Sequence, residues 1–153
     1  MTGPINPAEK INAGTYNLMR EGAYMNLLLA TDGKKHSEKA VNYAFDLASL
    51  RKMPLHIVFV VSPKAEEDKE RIVHFGKDVL EKLKQRGAQK DVKVTTMLEV
   101  GSPYETILDA SEKVKADTIV VGTSGKTSID RVLIGSVSEY VVRNSKCTVI
   151  VVK

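Results

Sequence analysis

After residue 24 the chain alternates without exception between short apolar runs and longer stretches of helical periodicity. The apolar runs are Met25 to Thr31, Leu55 to Val61, Val92 to Val100, Thr118 to Val121 and Cys147 to Val152. Most are near-continuous, as strands must be when helices cover both faces. The stretches between them carry stripes at helical spacing. Ala40, Val41, Ala44, Phe45 and Ala48 mark a helix expected from Ser37. Ile72, Phe75, Val79 and Leu83 mark a long helix over Ala65 to Arg86, with Gly87 expected to end it at the C′ position. Tyr104, Ile107, Leu108 and Val114 mark a third, opened by Gly101-Ser102-Pro103, and a fourth runs from Ser136 to about Arg143. This order predicts an α/β fold. One domain holds an open, twisted, parallel sheet of five strands, with right-handed crossovers and helices on both faces.

The 153 residues suffice for one full core and are too few for two ordinary domains. Residues 25–153 are expected to form the domain. Met1 to Tyr24, which carries Gly3, Pro4, Pro7, Gly14 and Gly22, is an extension in front of it. It is either a mobile tail or a short helix over Ala8 to Arg20 that packs on a partner subunit. No run is long enough to cross a bilayer, and the N-terminus lacks the apolar core of a signal peptide. The single cysteine, Cys147, excludes an internal disulfide framework and suits a reducing compartment. A cytoplasmic location with no membrane partner is therefore expected. The net charge of +4 is spread over interspersed Lys and Glu. With no arginine-rich arm and no aromatic-basic alternation, nucleic acid is not an expected partner.

Chemistry concentrates in Asp117 to Ser136, which reads DTIVVGTSGKTSIDRVLIGS. A strand ends on Gly122, Gly125 follows, and Gly135-Ser136 comes after nine more residues. Ser136-Val137-Ser138-Glu139 has the S-x-x-E spacing of a capping box, as has Ser102 to Glu105. Strand, glycine loop and helix start together make a phosphate cradle: glycines admit close backbone approach, and a helix start offers free amides and partial positive charge. A plain βα turn also uses glycines for shape, so the loop alone leaves both readings open. A Walker P-loop is rejected, because Val120 stands where it needs glycine and the helix begins too late for Lys126-Thr127. Gly122 to Gly125 is one residue short of a nucleophile elbow. His36, His56 and His74 are scattered and show no metal-ligand spacing. His56 reads as a packed strand residue. His36 and Lys34-Lys35, beside the acidic turn Asp32-Gly33, are either ligand contacts or solvated.

The spacing G-x2-G-x9-G-[ST], met at Gly122, Gly125, Gly135 and Ser136, is the nucleotide-binding signature of the universal stress protein family. The chain resembles that family over about residues 24 to 153. Asn26 to Gly33, with Ser37, is similar to the family's opening strand and acidic turn. Leu55 to Pro63 is similar to its second strand, Val100 to Pro103 and Ala116 to Gly122 to its third crossover, and Cys147 to Val152 to its closing strand. Thr148 stands where the family has a proline after the cysteine. The resemblance implies a Rossmann-like, adenine nucleotide α-hydrolase-like fold with strand order 3-2-1-4-5. That order reverses between the first and fourth strands, where open parallel sheets bind ligands beyond the strands' carboxyl ends. Asp32-Gly33 and the loop from Gly122 to Gly135 would meet there.

Roles follow for a bound nucleotide. Amides around Gly125, Gly135, Ser136 and Val137 would hold phosphates, with Ser138 in the same first turn. The Ser136 hydroxyl caps the helix and donates to a phosphate oxygen. Lys126 either adds a mobile positive charge or is solvated. Asp32 takes a ribose hydroxyl, contacts Mg²⁺ carried by the phosphates, or simply ends the strand as an Asx turn. By resemblance, the adenine edge meets backbone near Thr31 and at Val60, and the base packs on Ala30 and Val121, beside Gly122. The implied function is a stress-response sensor or switch that binds ATP or a related adenine nucleotide and is read by an unidentified protein partner. The resemblance also implies a homodimer through strand 147–152, whose uncovered edge is a pairing template. Two alternatives stand beside it. One is a slow ATPase or autophosphorylating enzyme using Ser124, Thr127 or Ser128; the other is a structural dimer without ligand. Hydrolysis needs an oriented water and metal against the terminal phosphate. No residue in the sequence is assigned that catalytic task.

Overall fold

The computed structural model describes residues 25–62, 68–123, 127–128, 131–132 and 134–153. The extension Met1 to Tyr24, Pro63, the expected helix start at Ala65, and Ser124, Gly125 and Lys126 lie outside the described residues. The elements in chain order are β1 (Leu27–Ala30), a 3₁₀ turn (Lys35–Ser37), α1 (Glu38–Arg51), β2 (Leu55–Val61), α2 (Lys69–Gln89) and β3 (Val94–Val100). Then come α3 (Pro103–Lys113), β4 (Thr118–Gly122), β5 (Thr127–Ser128), β6 (Arg131–Val132), α4 (Ser136–Asn144) and β7 (Thr148–Val152). No helix among the described residues is long and apolar enough to cross a membrane.

Five strands form one parallel sheet in the order β3-β2-β1-β4-β7, which is 3-2-1-4-5 when the sheet's own strands are counted. β5 and β6 pair antiparallel outside it. That ladder falls within what reads as loop, because two-residue strands leave no periodicity.

Successive strand residues face opposite sides of a sheet, and here both sides are core. Leu27, Leu29, Leu55, Ile57 and Val120 pack with Val41, Ala44 and Phe45 of α1 and Leu80 of α2. Leu28, Val58, Ile119 and Val121 pack with Ile107 and Ala110 of α3 and Val141 of α4. Helices α1 and α2 therefore cover one face, and α3 and α4 the other. Right-handed crossovers require this. The chain steps outward from β1 to β3, then back past β1 to β4 and β7, and a reversed step moves the crossover helix to the opposite face.

Several boundaries shift for local reasons. α1 starts at Glu38 after the 3₁₀ turn, and the Ser37 hydroxyl donates to the Lys34 carbonyl (2.7 Å) instead of capping the helix. β7 starts at Thr148 rather than Cys147, whose amide donates to Ser145 Oγ (3.1 Å). Helix α2 runs through Gly87 to Gln89 rather than stopping there. The Val92 amide donates back to the Gly87 carbonyl (2.8 Å), which also delays β3 to Val94. A Cβ on Gly87 would lie 2.9 Å from the Val92 carbonyl oxygen and overlap the Val94 side chain. This glycine thus serves close packing, not a helix stop. The expected stripe is rotated accordingly: Ile72, Val79 and Leu83 are half-buried, Phe75 is 44% exposed, and Leu80 is deeper than any of them.

Gly87 yields a prediction of sign. Glycine to alanine inside a helix ordinarily gains about 0.8–1.0 kcal/mol of propensity. Gly87→Ala is expected instead to cost about 1–3 kcal/mol, because the added methyl meets a fixed backbone oxygen. Urea denaturation measures the difference, and a stabilised variant would contradict the packing account.

Candidate functional site

The strand order reverses between β1 and β4, and a cavity of about 540 Å³ opens at their carboxyl ends. Ala30, Val58, Val60 and Val121 make its floor on the face covered by α3 and α4. Pro103 and Ile107 contribute a wall from the start of α3. Thr31, Asp32, Lys34, His36 and Ser37 enter from the turn after β1. Gly122 and Thr123 enter from the end of β4, and Gly135, Ser136, Val137 and Ser138 from the start of α4.

The turn after β1 is held by its own side chains. Thr31 is buried; its hydroxyl oxygen accepts the Gly33 amide (3.1 Å) and meets Ser37 Oγ (3.1 Å). Gly33 has φ of +71°, which glycine adopts without strain. Asp32 Oδ1 accepts the Lys34 amide (3.0 Å), and Oδ2 lies 3.0 Å from His36 Nε2. The Asx turn is therefore present, and the same carboxylate lines the cavity.

On the other side of β1, hydrogen-bond parity fixes what β2 presents. The Thr31 amide donates to the Val58 carbonyl (3.1 Å), so Val58 faces β1. The Gly101 amide donates to the Val61 carbonyl (2.9 Å), so Val61 faces β3. Val60 therefore faces the β1 side. The β1 register ends at Ala30 opposite Val58, and β1 has turned away before it reaches Val60. The Val60 amide and carbonyl thus point past the end of β1 at the cavity, as a donor-acceptor pair with no strand opposite among the described residues.

Helix α4 supplies the other polar group. Its N-cap is Gly135, at φ −66° and ψ 159°. The Glu139 amide donates to the Gly135 carbonyl (2.9 Å) and closes the first turn. The amides of Ser136, Val137 and Ser138 stand ahead of that bond, with no acceptor inside the helix. They carry the positive end of the helix dipole to the cavity wall. The Ser138 hydroxyl donates to the Gly122 carbonyl and ties the helix start to β4.

The capping box expected at Ser136 does not form. Gly135 takes the N-cap place, no side chain among the described residues caps the helix, and Glu139 pairs with Arg143 (2.9 Å). The Ser136 hydroxyl lies 3.1 Å from the Tyr104 hydroxyl instead. Ser102 is the N-cap of α3 with Pro103 at N1, as expected, again without a side-chain cap bond.

Ala30, Thr31, Asp32, Val60, Val121, Gly122, Gly135, Ser136, Val137 and Ser138, singled out from sequence, share this one cavity; Gly125 and Lys126 lie outside the described residues. Sequence reasoning missed Val58, Thr123, Pro103 and Ile107. Val58 was signalled by period two, since it shares a strand face with Val60. Pro103 and Ile107 belong to a helix whose docking angle no local pattern encodes. Among the described residues, no group of three or more His, Cys, Asp or Glu side chains could hold a metal ion. Asp32 is the only carboxylate on the described wall, which suits at most one protein contact to a cation carried in on phosphates.

His56 lies at the opposite end of β2 from the cavity, paired in register with Leu28 and Thr95. Burial first, and the Lys93 charge second, lower its pKa. Cys147 is half-buried against Ser145.

The sequence matches the Universal stress protein family over residues 23–153. It is 36% identical over 143 residues to Universal stress protein MJ0531 of Methanocaldococcus jannaschii, with 87% of this chain and 84% of that protein covered. Its fold is similar to the universal stress protein from Archaeoglobus fulgidus in complex with dAMP, at a TM-score of 0.69 and 26% identity, covering 85% of this chain and 98% of that one. It is also similar to a universal stress protein in complex with cAMP, at a TM-score of 0.65 and 28% identity, covering 84% and 96%. Family match, sequence relative and fold agree: the chain belongs to the universal stress protein family.

Proposed function

We propose that this protein binds an adenine nucleotide, ATP or a close relative, in the cavity between β1 and β4, and acts as a dimeric stress-response switch read by a partner protein. The observation that carries the reading is a pair of polar groups on either side of β1. Val60 offers a donor beside an acceptor, and α4 offers three amides. β2 and β4 both neighbour β1, so the two groups stand about two strand spacings apart, roughly 10 Å. A nucleotide has a base edge that both donates and accepts, and an anionic tail at such a distance. The relatives solved with dAMP and cAMP support an adenine base.

In this reading the base lies on Ala30 and Val121 with its edge at Val60. Thr31 gives its amide to Val58, so Val60 supplies the donor. The phosphates lie at the amides of Gly135, Ser136, Val137 and Ser138, and Gly125 and Lys126, which lie outside the described residues, are assigned to the same phosphates from the sequence alone. Asp32, oriented by Lys34 and His36, takes a ribose hydroxyl or steadies Mg²⁺ held by the phosphates. Mg²⁺, when bound, would neutralise phosphate charge. Each Asp32 oxygen has one contact from the turn, which fixes the carboxylate and leaves lone pairs for this task. Residues 25–153 form the binding domain, with 1–24 as an extension outside it. The dimer forms through the edge of β7 that no described strand covers.

Calorimetric titration with ATP and GTP, with and without Mg²⁺, tests the assignment. Adenine donates from N6 and accepts at N1, matching one carbonyl and one amide, whereas guanine presents the opposite order. Mispairing two hydrogen bonds, each contributing about 0.5–1.5 kcal/mol, predicts that GTP binds about 10- to 100-fold more weakly. No heat with ATP, or equal affinity for both, removes the reading.

A further inference from the structure

We infer that Tyr104 is a positioning residue for the nucleotide's phosphates, acting through the hydroxyl of Ser136. The inference rests on the nucleotide reading above and deepens it. Tyr104 is the second residue of α3 and Ser136 the first of α4, so they belong to two different helices that both begin at the cavity. Their hydroxyl oxygens lie 3.1 Å apart. The Tyr104 ring also meets Tyr140 edge to face, with centroids 5.4 Å apart and planes at 76°. Tyr140 lies four residues along α4 from Ser136, on the same side of the helix. Ring and hydroxyl together hold Tyr104 against the first turn of α4.

The consequence is a direction for one proton. A serine hydroxyl has a single proton and two lone pairs, and its rotor is otherwise free. Ser136 does not spend that hydroxyl on a helix cap. When an anion reaches the first turn of α4, the phenol donates to Ser136 Oγ and Ser136 donates to the phosphate oxygen. Two hydrogen bonds then run in one sense toward the negative charge and polarise each other. Without the phenol, Ser136 must fix its own rotor against the ligand. The same contact ties the start of α3, with Pro103 and Ile107, to the phosphate end of the cavity.

The test uses the full chain in four forms: unaltered, Tyr104→Phe, Ser136→Ala and the double variant. Phenylalanine keeps the ring against Tyr140 and removes only the hydroxyl. Each form is titrated calorimetrically with ATP and with adenosine, which lacks phosphate. Losing one hydrogen bond that serves a charged partner, Tyr104→Phe is expected to weaken ATP about 3- to 10-fold and leave adenosine unchanged. The double variant is expected to bind ATP no more weakly than Ser136→Ala alone, because the tyrosine acts only through the serine. The inference is overturned if Tyr104→Phe binds ATP like the unaltered protein. It is also overturned if ATP and adenosine weaken equally, or if the two losses simply add. Should Ser136→Ala itself leave ATP affinity untouched, the phosphate placement fails, and this inference with it.

Discussion

Gly135→Val is expected to lower ATP affinity by at least about 100-fold while the fold and its melting temperature stay close to those of the unaltered protein. The expectation separates two reasons for a glycine. At φ −66° and ψ 159°, Gly135 sits in extended backbone that valine adopts readily. No left-handed conformation is lost. What changes is the space. Gly135 lines the cavity directly before the amides of Ser136 and Val137, which have no acceptor inside the helix. A branched side chain on that residue occupies the approach an anion needs to reach both amides. Losing two hydrogen bonds to a charged group, about 1.5–3 kcal/mol each, gives a hundredfold or more. Calorimetry reads the affinity, and far-ultraviolet circular dichroism with a thermal melt reads the fold. Unchanged affinity in a folded variant would remove the phosphate site from the start of α4. A variant that melts far lower would show that the glycine's task is structural.

The fold class was legible because period and order carry it, whereas the strand order follows only from the family resemblance. Leu27, Leu28 and Leu29 are all buried, to opposite faces, as a strand covered on both sides requires. Strand order then places Asp32 and Gly135 at one crevice, although they lie 103 positions apart in the sequence. What escaped was set by close packing. Gly87 looks like a helix stop, yet it is where the chain returns so tightly that a Cβ does not fit. Ser136 looks like a capping serine, yet its hydroxyl meets a tyrosine from another helix, 32 positions earlier. S-x-x-E spacing describes what a serine can do locally, whereas α3 decides what it does. The sequence leaves His36 either a ligand contact or solvated, and its 3.0 Å contact with Asp32 depends on the 3₁₀ turn that lifts it there. In the sequence Val60 follows from family resemblance alone; in the structure, parity of the β2 hydrogen bonds turns its amide and carbonyl toward the cavity.

Val151→Pro is expected to convert the proposed dimer to a monomer without unfolding the domain. The Thr123 amide donates to the Val152 carbonyl (3.2 Å), so Val152 faces β4, and Thr148 and Ile150 face it with Val152. The amides of Val149 and Val151 therefore point away from the sheet, along the edge proposed to pair. Proline at 151 removes one outward donor and places a ring where a second strand would lie. The ladder to β4 keeps its donors, and proline is tolerated on an edge strand when its nitrogen faces solvent. In a two-fold symmetric interface each substitution acts twice. Two lost hydrogen bonds and two ring clashes, at about 1–2 kcal/mol for each copy, raise the dimer dissociation constant by about 100-fold. Sedimentation equilibrium across the micromolar range measures it. Ile150→Pro is the matched control. Its nitrogen faces β4, so it removes a ladder bond and is expected to lower the melting temperature sharply, whatever the oligomeric state. If Val151→Pro remains dimeric, the pairing surface lies elsewhere. If Val151→Pro and Ile150→Pro melt alike, the assignment of inward and outward amides along β7 is wrong.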